Sequence, residues 1–148
     1  MFLDSTDPVN LKDKLKNLSN YKPHFIFISK SGNTIEPLSI LNHISCFYEI
    51  NSENSSIISV PGSNFEKFAI KNKINFFGIS PELSGRFSIF SAVGLLPLCM
   101  SGIDINEIIR AAKSVFDDFF DKGKEYKEII NKARFFVENK TRFNINVI

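Results

Sequence analysis

An unbroken apolar run, Phe25-Ile26-Phe27-Ile28, stops at Ser29-Lys30-Ser31-Gly32-Asn33-Thr34, after which apolar residues return at helical spacing at Ile35, Leu38, Leu41, Ile44 and Phe47 or Tyr48. The run predicts a central parallel strand, because a strand covered on both faces need not alternate. The spacing after it predicts a helix over residues 34–48, with Thr34 as its N-cap because Pro37 is tolerated only in a first turn. Before the strand, Leu11, Leu15 and Leu18 fall on one face of a helix over residues 9–20, with Pro8 in its first turn. Beyond it, Ile57-Ile58-Ser59-Val60 reads as a second buried strand closed by Pro61-Gly62, a helix capped by Ser63 or Asn64 runs through Lys71, and residues 74–78 form a third strand. Strand, helix, strand, helix, strand is the pattern of a parallel sheet.

The second half is helical. Residues 89–100 are apolar and almost uncharged, which predicts a buried helix too short to cross a membrane. Asp104 caps a helix over residues 105–120, an amphipathic helix follows over 125–139, and residues 144–148 begin another strand. The fold class expected is α/β, a three-layer sandwich around a parallel, doubly wound sheet, followed by helices. The 148 residues are one domain's length of chain.

Composition removes several function classes. Eighteen basic against sixteen acidic residues leave a net charge of +2, too small to argue for a nucleic-acid partner. No apolar run approaches a membrane span, and Met1-Phe2-Leu3-Asp4 lacks the basic start and long apolar core of a signal peptide, so no membrane partner and a cytoplasmic location are expected. Cys46 and Cys99 lie far apart within apolar helical patterns and read as buried thiols, not as a disulfide or a metal pair. No metal and no cofactor are expected.

Chemistry concentrates in two turns. The first carries the hydroxyls of Ser29, Ser31 and Thr34, the ammonium of Lys30, the permissive backbone of Gly32 and the free amides of a helix start, all at a strand's carboxyl end. These suit a phosphate. Neither the Walker nor the dinucleotide-binding glycine pattern is present. The second turn, Ser84-Gly85-Arg86-Phe87-Ser88, holds a permanently charged guanidinium suited to an anionic oxygen, beside a glycine that permits close backbone approach. Alone it reads as a surface arginine at a helix start. With the first turn at the end of a neighbouring parallel strand it reads as part of a site. His24 and His43 read as packing or surface histidines, Glu36 as a favourable charge in a first helical turn, and Glu82 as a partner for Arg86.

Ser29-Lys30-Ser31-Gly32-Asn33-Thr34-Ile35-Glu36-Pro37, followed by Gly85-Arg86-Phe87-Ser88-Ile89-Phe90-Ser91-Ala92-Val93-Gly94-Leu95-Leu96-Pro97, resembles the bacterial glucose-6-phosphate isomerase family, which is built from sugar-isomerase (SIS) domains. The first stretch indicates an SIS domain, and the second resembles a signature of the isomerases themselves. The resemblance runs through most of the chain and is strongest between Phe25 and Pro97. It implies that Ser29, Ser31 and Thr34 hydrogen-bond a sugar phosphate, with Lys30 adding backbone and charge, and that Arg86, beside Gly85, stabilises an anionic enediolate. It implies a homodimeric protein of two SIS domains, of which this chain is most of the first. Where the family has two glycines before the arginine, this chain has Ser84 and Gly85.

By the same resemblance, the family's glycine-rich substrate loop falls before residue 1, and its glutamate base, ring-opening histidine and late lysine fall beyond Ile148. The expected activity is therefore that of a longer isomerase to which this chain supplies phosphate binding and oxyanion stabilisation. Two alternatives stand beside it: an SIS phosphosugar-binding or regulatory module without catalysis, and an α/β domain whose turns serve only as helix caps.

Overall fold

A computed structural model describes residues 1–18 and 20–140. These form two compact units, one from Met1 to Gly102 and the other from Ile103 onward. The strand expected over residues 144–148 lies outside the described residues.

The first unit is an α/β fold. Its elements are α1 (Pro8–Lys16), β1 (Phe25–Ile28), α2 (Ile35–Ser45), β2 (Ser55–Ser59), α3 (Asn64–Lys71), β3 (Asn75–Gly78), a single 3₁₀ turn at Gly85–Phe87, and α4 (Ala92–Met100). The three strands form a parallel sheet in the order β1-β2-β3, with Phe27 opposite Ile57 and Ile57 opposite Phe76. Parallel neighbours joined through α2 and α3 make two βαβ units, whose right-handed crossovers put both helices on one face. That face carries the core: Phe25, Phe27 and Ile57 pack with Leu11 and Leu15 of α1, Ile40, Leu41 and Ile44 of α2, and Phe65 and Ala69 of α3. Every residue of β2 is buried, whereas β1 alternates buried and half-buried positions. The central strand is therefore β2, and among the described strands β1 lies at an edge, contrary to the expectation from its apolar run. An edge strand can be wholly apolar when its second face is half covered, as Ile26 and Ile28 are.

Local chemistry sets the helix ends. Asp7 caps α1 by accepting from the Val9 amide at 3.0 Å, and Lys14 ties the N-terminal segment to α1 by donating to Asp4 and to the Phe2 carbonyl. The helix stops at Lys16, short of the Asn20 that its leucines suggested. Ser63 caps α3 through the Glu66 amide at 3.2 Å.

Two burial expectations are corrected. Helix α4 begins at Ala92 under the cap of Ser91, and its residues are half-exposed or exposed. An apolar helix of this length needs cover on every side to be buried, and here it is covered only in part. Cys46 and Cys99 are free, as expected, but both are exposed. Cys46 follows the last turn of α2 and Cys99 sits near the end of α4, so neither reaches the core.

The second unit is a helical hairpin of α5 (Ile105–Phe120) and α6 (Lys124–Glu138). Asp104 caps α5, accepting from the Asn106 amide at 2.8 Å. Lys122 takes a left-handed conformation between the helices, and the Asp118 carboxylate accepts from the Glu125 amide across the turn at 2.7 Å. Phe119 meets Tyr126 with ring centroids 5.4 Å apart, joining the two helices. Among the described residues, no helix is long and apolar enough to cross a membrane.

Candidate functional site

The β1–α2 turn is held by its own hydroxyls. As β1 ends, the Ser29 amide donates to the Ile58 carbonyl at 3.1 Å, and the Val60 amide returns a bond to the Lys30 carbonyl at 3.0 Å, carrying the ladder one step into the turn. The buried Ser59 hydroxyl adds a second donor to the Lys30 carbonyl at 3.3 Å. The backbone of Lys30 is thus pinned to β2 while its side chain stays exposed.

Ser29 is buried, and its hydroxyl accepts from the Gly32 amide at 3.1 Å and donates to the Thr34 hydroxyl at 3.2 Å. Ser31 accepts from the Asn33 amide at 3.1 Å, and its hydroxyl lies 3.3 Å from that of Thr34. Thr34 occupies the N-cap position of α2 in an extended conformation, but its side chain makes no capping bond. Its hydroxyl is engaged by Ser29 and Ser31, so it does not consume the amides of the first turn of α2.

Gly32 is required by the fold. Its φ of +65° lies in the left-handed region, and a Cβ there would stand 2.7 Å from the Ser63 Cβ and 3.0 Å from the Phe65 amide nitrogen. The β1–α2 turn therefore rests directly against the start of α3. Asn64 reinforces this approach by donating from its side-chain amide to the Asn33 side-chain oxygen at 2.6 Å. Behind it, the Gly62 amide donates to the Glu66 carboxylate at 2.6 Å, which fixes the loop leading into α3.

Between the two turns lies an open cleft of about 460 Å³ lined by Lys30, Ser31, Asn33 and Thr34 on one side and residues 60–63 on the other. It sits at the carboxyl ends of β1 and β2, where open parallel sheets bind ligands. Its lining offers hydroxyls, backbone and the Lys30 ammonium, and it contains no carboxylate and no imidazole. Such a surface suits an anion.

The residues singled out from sequence divide into three groups. Lys30, Ser31 and Thr34 line the cleft, whereas Ser29 stands behind them and holds the turn. Gly32 supplies the backbone shape. Arg86 lies elsewhere, exposed in the 3₁₀ turn that follows β3 and outside the cleft lining. Its strand is not adjacent to β1 as expected, since β2 stands between them. A Cβ at Gly85 would meet nothing within 4 Å, so no close approach among the described residues demands that glycine. The four ion pairs among the described residues do not include one between Glu82 and Arg86. His24 is 3.0 Å from the Ser56 hydroxyl, and His43 packs its ring against Phe47, with its Nε2 buried and unpartnered. Among the described residues, no three His, Cys, Asp or Glu side chains gather as metal ligands.

Sequence reasoning missed the second wall of the cleft. Pro61-Gly62 was legible as a strand stop and Ser63 as a cap, and Ser63 with Glu66 has the spacing of a capping box. Only the pairing of β1 with β2 turns that loop toward Lys30.

A parallel α/β sheet with a hydroxyl-rich turn and a cation at its carboxyl edge places the chain in the class of open α/β proteins, whose ligand sites lie at that edge. Within that class the relatives are specific. The chain is 31% identical to a glucose-6-phosphate isomerase of Campylobacter jejuni over 99% of its own length and 36% of the relative's. It is 36% identical to that of Prochlorococcus marinus MIT 9515 over 79% of its length and 23% of the relative's, and 35% identical to that of Methanocaldococcus jannaschii over 77% and 29%. The crystal structure of a hypothetical protein from Thermus thermophilus superposes with a TM-score of 0.72 at 28% identity, over 80% of this chain and 30% of that one. A glucose-6-phosphate isomerase structure from Chlamydia trachomatis shares the fold, with a TM-score of 0.50 over 61% of this chain and 18% of that one. No family model matches the chain. The chain is a homologue of the glucose-6-phosphate isomerases and spans about a third of the length of the first of these relatives.

Proposed function

We propose that the cleft between the β1–α2 turn and residues 60–63 binds the phosphate of a hexose phosphate, and that the chain serves a cytoplasmic, homodimeric glucose-6-phosphate isomerase as an SIS-type domain. The observation that carries this reading is the cleft itself, with Ser31, Thr34 and Lys30 on its lining at the carboxyl ends of two parallel strands. Ser31 and Thr34 donate to phosphate oxygens, Lys30 neutralises charge, and the amides of α2's first turn add partial positive charge. Ser29 acts through Thr34, whose hydroxyl it orients at 3.2 Å.

The reaction is an aldose–ketose isomerisation with no cofactor. A base removes the proton on C2 of open-chain glucose 6-phosphate and the C1 carbonyl oxygen becomes the enediolate oxygen; the C2 hydroxyl proton passes to that oxygen, and return of the carbon-bound proton to C1 leaves an alcohol at C1 and the carbonyl at C2 in fructose 6-phosphate. Arg86 is assigned to the enediolate oxygen, where a preorganised cation lowers the barrier. Arg86 follows β3, on the far side of β2 from the β1–α2 turn, and so stands apart from the cleft assigned to the phosphate.

Binding is tested by titrating the protein with inorganic phosphate and with glucose 6-phosphate. Replacing Lys30 and Ser31 together with Ala is expected to weaken both at least about tenfold, with the circular-dichroism spectrum unchanged. Unchanged affinity in the folded double variant defeats the cradle assignment. A second reading, a phosphosugar-binding module without catalysis, is favoured by the lack of any carboxylate or imidazole on the cleft lining.

A further inference from the structure

We propose that Asn64 is a positioning residue for the phosphate turn, acting as a latch through Asn33; this rests on the phosphate-binding reading above and extends it to the element that holds the turn in place. Ser31, Gly32 and Asn33 form the tip of the turn. Their own hydrogen bonds are local: Gly32 to Ser29, Asn33 to Ser31, and Ser31 to Thr34. Local bonds shape the tip but do not fix its distance from the opposite wall.

Two contacts with α3 fix that distance, one repulsive and one attractive. Gly32 sits closer to Ser63 than any residue with a side chain could, since a Cβ would lie 2.7 Å from the Ser63 Cβ. This packing resists inward movement of the tip. The bond from the Asn64 amide to the Asn33 oxygen, 2.6 Å long and spanning 31 positions of sequence, stops it from moving outward. The far side is itself braced, because Ser63 caps α3 and Glu66 holds the Gly62 amide. Asn33, Gly62 and Ser63 all line the cleft, so the spacing set by these contacts is the width available to the anion. Binding then keeps the order the latch has already imposed, and less freedom is lost when the phosphate arrives.

The latch joins two exposed side chains, and a hydrogen bond in water is worth a modest net amount, so its loss is expected to weaken binding about three- to tenfold. The decisive experiment is a double-mutant cycle on the affinities for inorganic phosphate and glucose 6-phosphate, using Asn33→Ala, Asn64→Ala and the double variant, with Asn64→Ser as a second truncation and thermal midpoints recorded for each. If the latch acts as one device, each single variant loses a similar factor and the double variant loses no more than either. A purely structural role for Asn64 would shift the thermal midpoint without moving the affinity, and that result overturns the proposal. Losses that multiply in the double variant also overturn it, because they mean two independent contacts with the ligand. Wild-type binding that is abolished by the Lys30 and Ser31 replacements but indifferent to both asparagines removes the latch alone. Failure of the wild-type protein to bind either probe removes the phosphate reading and the latch with it.

Discussion

Gly32 carries two demands at one atom: a backbone conformation at φ +65° and a neighbour at a distance no side chain tolerates. Gly32→Ala is therefore expected to destabilise the protein by about 1–3 kcal/mol and to weaken phosphate binding, read respectively by denaturant unfolding and by titration. Alanine at Gly85 should do neither in the isolated chain, since a Cβ there meets nothing. The contrast separates a glycine needed by this chain's own fold from one that no contact among the described residues requires. The hydroxyls show a similar split of roles. Ser29, Ser31 and Thr34 are chemically alike and close in sequence, yet Ser29 is buried under the turn while the other two line the cleft. Sequence identified all three as a set and could not rank them, because burial depends on where β2 runs.

At the scale of elements, β2 organises the sheet and α3 locks it. Phe65 is fully buried at the first turn of α3, next to the Ser63 cap and close to Gly32. Phe65→Ala should cost about 3–5 kcal/mol, measured as the shift in urea midpoint at constant slope. Phe77, on β3 and 38% exposed, should cost far less by the same measurement. Helix positions were readable from periodicity and caps: α3 and α5 fall where Ser63 and Asp104 place them. The ends of α1 and α2 were not, because Leu18 and Tyr48 keep helical spacing while contributing only partly buried surface beyond the last helical turn. Burial of α4 was misjudged for a related reason. Apolar composition states what a helix would bury, and only its neighbours decide how much it does.

For the whole molecule, the composition of the cleft lining has a kinetic consequence. The cleft lining carries no carboxylate and no imidazole. The purified 148-residue chain is accordingly expected to bind glucose 6-phosphate without converting it to fructose 6-phosphate, followed in a coupled spectrophotometric assay. Measurable turnover would require a base among the residues present here.

What the sequence determined by itself was local or periodic: the α/β class, the order of the described elements, the cap at Asp104, and the concentration of hydroxyls in residues 29–34. Each follows from a few neighbouring residues, so each is written where it acts. The tertiary structure alone decided that among the described strands β2 and not β1 is central, that residues 60–63 face Lys30, that Ser29 lies behind the cleft, and that β2 separates the first turn from the strand before Arg86. These are relations between strands, set by which edges pair and how tightly Gly32 meets Ser63, and no stretch of sequence contains both halves of such a contact.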